Sequence, residues 1–200
     1  LISIFLTAIL SISAVAAEDN STKSFGEIQM QIDSAGEGDT IELDGTYINT
    51  HGQVYVDKKL TIKGVTENTT LDANHLGGVM DISHPHTTLI NLKFANSNYG
   101  AVECEYNTTF INCTFINNNN AGEFGGGAVN FKHSANFINC IFINNTAKRG
   151  GAIFSQYNDD GKVTTTSIEK CVFTNNSATL EGGAVYTDIY QNGKLKSVSV

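Results

Sequence analysis

The chain has 200 residues, 40% hydrophobic, 9% aromatic and only 16% charged, with a formal net charge of -8. That is enough apolar material for one packed domain, at a charge density well below that of an ordinary α/β enzyme. The acidic balance and the single arginine, Arg149, leave no basic stripe to hold phosphates and argue against a nucleic-acid partner.

Residues 1-17, LISIFLTAILSISAVAA, form an uncharged apolar run that ends in small residues and read as a secretory signal peptide. The run is at the short limit for a membrane span. It starts without methionine or a positive n-region, so its front is expected to be truncated. Residues 18-37 form a polar lead and a short capping helix. Ser24 and Glu27 have capping-box spacing, Phe25, Ile28 and Ile32 share one helical face, and Gly36 is the expected stop. Such a helix would cover the apolar side chains and open strand edge at the start of a solenoid. Gly38-Asp39-Thr40-Ile41 then opens a series of short alternating strands through Val54-Tyr-Val56, Leu60-Thr-Ile62, Leu71 and Val79-Met-Asp-Ile82.

From Thr108 onward one phrase is repeated three times: Phe110-Ile-Asn-Cys-Thr-Phe-Ile-Asn-Asn118, Phe137-Ile-Asn-Cys-Ile-Phe-Ile-Asn-Asn145 and Ile168-Glu-Lys-Cys-Val-Phe-Thr-Asn-Asn176. Each is followed by a second phrase, Gly126-Gly127-Ala-Val129, Gly150-Gly151-Ala-Ile153 and Gly182-Gly183-Ala-Val185. A period of this size means a solenoid or an array. Cys113, Cys140 and Cys171 form one apolar column and Phe115, Phe142 and Phe173 another. Phe110, Phe137 and Ile168 form a third. Leu89, Leu92 and Phe94 fit the same frame one coil earlier. The cysteine and phenylalanine columns are two apart, the alternation of a strand with one buried face, and Asn and Gly close the corners because they tolerate left-handed backbone. The predicted fold is all-β: a right-handed, single-stranded parallel β-helix over residues 38-200, each coil burying its inner face against its neighbours. Leu195 to Val200 alternates like the first strand of another coil, so more coils and an anchor are expected beyond it.

Phe-x-Asn-Asn followed by Gly-Gly-Ala-[Ile/Val] resembles the repeat of chlamydial polymorphic outer-membrane proteins. The fuller wording resembles the β-helical adhesin-like surface proteins of methanogenic archaea, and Gly38-Asp39-Thr40-Ile41 resembles the first coil of pectate-lyase-like proteins. The resemblance covers Phe110 to Val185 well and Leu60 to Val102 loosely. It implies surface display and attachment without naming a ligand.

Cys113, Cys140 and Cys171 share one inward direction, which opposes disulfide torsion, and are expected as free buried thiols. Nothing is predicted for Cys104. No Cys-x-x-Cys pair or His set marks a metal site, and calcium has no motif behind it. Asn117, Asn144 and Asn175, like Asn118, Asn145 and Asn176, read either as a ligand-binding amide row or, as preferred, as a ladder bonding successive coils. Acceptor sequons fall at Asn20, Asn68, Asn107, Asn112, Asn144 and Asn175. Asn68 and Asn107, in loop-like sequence, are the better glycosylation candidates because corner sequons are expected to be hidden. The run from Leu71 to His86 holds Asp72, His75, Asp81, His84 and His86, which read either as turn chemistry or as cleavage machinery centred on Asp72, Asp81 and His75. The outward column Lys93, Thr114, Ile141, Val172 offers no carboxylate stack. The expected function is a non-enzymatic adhesin-like protein, secreted and displayed at the cell surface or wall, with surface glycans or other cells as partners and no cofactor. The alternative is a polysaccharide lyase or glycoside hydrolase on the same scaffold.

Overall fold

A computed structural model describes residues 22–157, 166–191 and 194–199. The expected signal at residues 1-17 and the Asn20 sequon lie outside the described residues.

A two-residue strand, β1 (Lys23–Ser24), runs into helix α1 (Phe25–Ser34). The Ser24 N-H donates to the Glu27 carboxylate at 2.9 Å, which fixes the start of the helix. Phe25, Ile28 and Ile32 are buried in the same cluster as Leu43, Val54 and Val56 of the first coil, so the helix covers the beginning of the solenoid. The helix ends just before Gly36, as the sequence suggests, but without a left-handed glycine at that position. Ala35 turns to extended backbone while its N-H still donates to the Gln31 and Ile32 carbonyls at 3.1 Å, and Lys58 Nζ donates to the Ile32, Asp33 and Ala35 carbonyls. A cation at the helix C-terminus also suits the helix dipole.

Each coil then contributes one short strand to each of three sheets. The first coil holds β2 (Thr40–Leu43), β3 (Thr46–Ile48) and β4 (Val54–Val56). The second holds β5 (Thr61–Gly64), β6 (Thr70–Asp72) and β7 (Met80–Ile82), and the third β8 (Thr87–Ile90), β9 (Lys93–Ala95) and β10 (Val102–Cys104). Later coils add an extra strand: β11 (Thr108–Ile111), β12 (Thr114–Ile116), β13 (Asn119–Asn120) and β14 (Val129–Phe131) form the fourth. The fifth is β15 (Ala135–Ile138), β16 (Ile141–Ile143), β17 (Thr146–Arg149) and β18 (Ile153–Tyr157). The sixth is β19 (Ser167–Glu169), β20 (Val172–Thr174), β21 (Ser177–Glu181) and β22 (Val185–Gln191). The first sheet is β2-β5-β8-β11-β15-β19, the second β1-β3-β6-β9-β12-β16-β20, the third β4-β7-β10-β14-β18-β22, and β13-β17-β21 form a short fourth. All of these pairs are parallel, which makes the chain a parallel β-helix. The last described strand, β23 (Lys194–Ser199), departs from that plan. It doubles back antiparallel on β22 and does not open another parallel coil as the alternation of Leu195 onward suggests.

The columns stack as the alternation requires. Leu71, Phe94, Phe115, Phe142 and Phe173 are successive register partners in the second sheet, and Ile62, Leu89, Phe110, Phe137 and Ile168 in the first. Phe94, Phe115, Phe142 and Phe173 stack face to face at 4.9, 4.8 and 4.7 Å between ring centroids, the spacing of the strands themselves. Phe142 is fully buried in this column, and trimming a phenylalanine so placed to alanine costs about 3–5 kcal/mol. The corners follow from residue type. Asn91, Asn112, Asn139 and Lys170 turn the chain from the first sheet to the second, and Asn96, Asn117, Asn144 and Asn175 turn it out of the second, all at φ between 53 and 56°.

The inner asparagine row is a continuous ladder. The Asn118 and Asn145 Nδ2 groups donate to the Asn145 and Asn176 Oδ1 atoms at 3.0 and 2.9 Å, and to the Phe94 and Phe115 carbonyls. The outer row, Asn117 and Asn144, is exposed, as are Asn112 and Asn175. The corner sequons are therefore not hidden, because a left-handed residue at a convex corner points its side chain to solvent. Asn68 and Asn107 are exposed too.

Candidate functional site

In β4, β7, β10 and β14 of the third sheet the middle residue stands between two buried apolar neighbours and so faces out. Tyr55, Asp81, Glu103 and Asn130 thus form one outward row in register, flanked inside by Met80 and Ile82, Val102 and Cys104, and Val129 and Phe131, and the register continues into Phe154 and Tyr186, which are buried. Asp81 and Glu103 are adjacent rungs, roughly one strand spacing, or 4.8 Å, apart. Beside them Glu105 and Lys132 form an ion pair between the third and fourth coils. Burial pushes the Asp81 carboxyl above its ordinary range, the Glu105 charge adds to this, and Lys132 works against it. Burial likewise raises Glu103, with Lys132 opposing and the Asp81 and Glu105 charges reinforcing. Two neighbouring carboxyls raised in this way are what a functional cleft often contains.

A cleft of about 260 Å³ opens next to this row. Tyr99 and Phe124 stand at its mouth, 69% and 55% exposed, and Glu103, Asn120, Glu123 and Asn130 line it. Tyr99 sits in the loop before β10 and is tied by a backbone bridge to Asn120 of β13, so two coils build one wall. The Arg149 guanidinium lies 5.5 Å from the Phe124 ring centre and bonds to the Glu123 carbonyl at 3.1 Å and the Glu181 carboxylate at 2.8 Å. Asn130 Oδ1 is buried without a donor, and among the described residues the Glu103 carboxyl has no hydrogen-bond partner.

The residues proposed from sequence as cleavage machinery are not brought together. Asp72 lies on β6 in the second sheet, where Oδ1 accepts the Asn74 N-H at 2.8 Å and Oδ2 accepts the Asn96 Nδ2 at 2.9 Å, so it shapes a turn. His75 is exposed in the same turn at φ 58°, and Asp81 is on a different face, in the third sheet. His84 is 3.9 Å from the Glu37 carboxylate, away from both. A sequence cluster scatters here because one coil turns through all three faces within some twenty residues. The column Lys93, Thr114, Ile141, Val172 does lack carboxylates, but the carboxylate stack lies on the third face. Aligning the coils on Ala101-Val102 and Ala128-Val129 instead of on the cysteines would have put Glu103 and Asn130 in one column.

All four cysteines are free thiols. Cys104 belongs to an inward row of the third sheet, between Ile82 and Phe131. Burial pushes its thiol up to about 12 and also raises Cys113. Among the described residues no group of three or more His, Cys, Asp or Glu side chains is placed to hold a metal ion.

The family described as Chlamydia polymorphic membrane protein (Chlamydia_PMP) repeat matches at residues 139–156 and 170–188. Each match runs from the left-handed corner before the cysteine to the third sheet, in the fifth and sixth coils. No curated protein matches the chain. Among solved structures, one described as "a new PL6 alginate lyase complex with trisaccharide" is similar, with a TM-score of 0.55 and 21% sequence identity over 72% of this chain. This chain spans 34% of the length of that one, and the likeness is one of fold. The chain is therefore a parallel β-helix in which two coil segments match the model of the polymorphic membrane protein repeat.

Proposed function

We propose that this chain is a non-enzymatic, adhesin-like protein, exported by way of residues 1-17 and displayed at the cell surface, whose β-helix presents its flanks to glycans or to other cells. The observation that carries this reading is the repeat of a membrane-protein family in two consecutive coils, at 139–156 and 170–188. The architecture suits the role, because a stack with rows of identical side chains can hold a partner by many weak contacts whose strength grows with the coils engaged.

A second reading, a polysaccharide lyase or glycoside hydrolase, is favoured by Asp81 and Glu103, adjacent carboxyls both raised by burial. Acid-base cleavage of a glycosidic bond uses two such groups flanking it. A lyase acting on an acidic polymer also needs free cations, whereas Lys132 is paired with Glu105 and Arg149 with Glu123 and Glu181. The test is to coat beads with the chain and count their attachment to cells, and in parallel to incubate it with neutral and acidic polysaccharides, with and without calcium. Attachment without release of reducing or unsaturated ends is expected. Release that disappears in Asp81→Asn or Glu103→Gln would replace the adhesin reading with the enzyme.

A further inference from the structure

We propose that the cleft between the Tyr99 and Phe124 loops is a subsite for one neutral, hydroxyl-rich sugar ring at the edge of a glycan. This deepens the adhesin reading and rests on it for the class of ligand. The cleft, about 260 Å³, is of the scale of a single ring and open at the side where Tyr99 and Phe124 stand exposed. An aromatic face left in solvent beside a cleft is a platform for the apolar C-H face of a sugar, and the negative ring quadrupole favours that contact. Below it the unmatched polar groups are acceptors: the half-buried Glu103 carboxyl, without a hydrogen bond among the described residues, and Asn130 Oδ1, buried without a donor.

Glu103 and Asn130 are register partners on β10 and β14, so they stand about one strand spacing, 4.8 Å, apart on one face. Neighbouring ring hydroxyls are donors on a matching scale. An orphaned amide oxygen is costly, and turning the Asn130 amide to accept a ligand hydroxyl would remove that cost. Charge selects within the sugars. Glu103 and Glu123 line the cleft, Asp81 and Glu105 lie beside it, and the nearby cations are engaged in ion pairs. A uronate would bring its carboxylate against that field, whereas a neutral ring would not.

The test uses the full chain and purified oligosaccharides: neutral gluco-, galacto- and manno-oligosaccharides against uronate oligomers, read by calorimetry and by NMR shift changes. A neutral oligosaccharide should bind with shifts confined to the cleft, uronates should not, and Tyr99→Ala and Glu103→Gln should each weaken binding by about tenfold or more. Tyr99 is exposed, so its replacement leaves folding unaffected, which denaturant melts would verify. Absence of binding across the neutral set, binding indifferent to both variants, or uronates bound equally well would overturn the proposal. Bead attachment separates the two readings. Beads that still hold cells when the cleft binds nothing retain the adhesin and reject the subsite, and a sugar-binding cleft on beads that hold no cells does the reverse.

Discussion

The Asn118 side-chain amide donates to Asn145 Oδ1 at 3.0 Å, one coil away, and the Asn118 backbone N-H donates to the same oxygen at 3.1 Å. Asn145 in turn donates to the Phe115 carbonyl and to Asn176. Replacing Asn145 with alanine strands several buried partners at once. Since each unsatisfied group costs about 1–3 kcal/mol, Asn145→Ala should lower stability by about 2–5 kcal/mol. Urea melts would measure this, and Asn144→Ala, at the exposed corner beside it, should cost less, about 1–2 kcal/mol, from holding alanine at φ 54°.

Gly151 and Gly183 occupy equivalent places in successive coils but should respond differently to alanine. A Cβ on Gly151 would come within 2.6 Å of the Ser177 backbone, whereas on Gly183 it would come no nearer to another part of the chain than 4.0 Å, from the Asn176 carbonyl oxygen. Gly151→Ala must push two coils apart and should destabilise by about 1–3 kcal/mol, as overpacking does. Gly183→Ala should be tolerated. Equal melting temperatures for the two variants would contradict the close stacking of the glycine backbones.

Asp81 and Glu103 make stability depend on pH. Both are raised in the folded chain, first by burial, with Glu105, Lys132 and each other as the charged groups nearby and Gln53 Nε2 3.5 Å from Asp81. A raised carboxyl binds more protons folded than unfolded, so its contribution is most favourable in acid and declines as pH rises from the ordinary carboxylate range through the folded pKa. Asp81→Asn removes that decline. Its urea midpoint should exceed that of the parent at pH 7, and the difference should shrink as pH falls towards 4. A midpoint difference that grows in acid would reverse the assignment.

The thiols give a count. Cys104, Cys113 and Cys140 are fully buried and Cys171 is partly exposed, all four unpaired. A thiol reagent should titrate Cys171 first in the native chain and all four cysteines in denaturant, because the reagent cannot reach the three fully buried sulfurs. A disulfide between any two of Cys113, Cys140 and Cys171 in a non-reducing peptide map would contradict the column geometry.

The sequence made the repeated half legible because its columns are chemically pure. Phe115, Phe142 and Phe173 must face one way, and Asn112, Asn139 and Lys170 must turn a corner, so period and backbone conformation could be read together. The capping helix was legible for a different reason, since Ser24, Glu27 and the Phe25, Ile28, Ile32 stripe are local signals. The candidate site was not. Asp81, Glu103 and Asn130 share no residue type, and their spacings of 22 and 27 positions are set by loops of unequal length, so only the register of the third sheet reveals the row. The reversal at β23 was hidden as well, because alternation gives a strand its faces but not its direction.

The bonds that join the coils, such as Ile141 N-H to Cys113 O and Val172 N-H to Cys140 O at 2.9 Å, lie along the stacking axis. Tension applied along that axis therefore loads the rungs in series, and the weakest contact yields while the others hold. Asn117 and Asn144 are 27 residues apart, so each coil that peels away releases about 90 Å of slack. Pulled lengthwise, such a rod lengthens in discrete steps and dissipates work as a shock absorber, where sideways shear would have to break many rungs together.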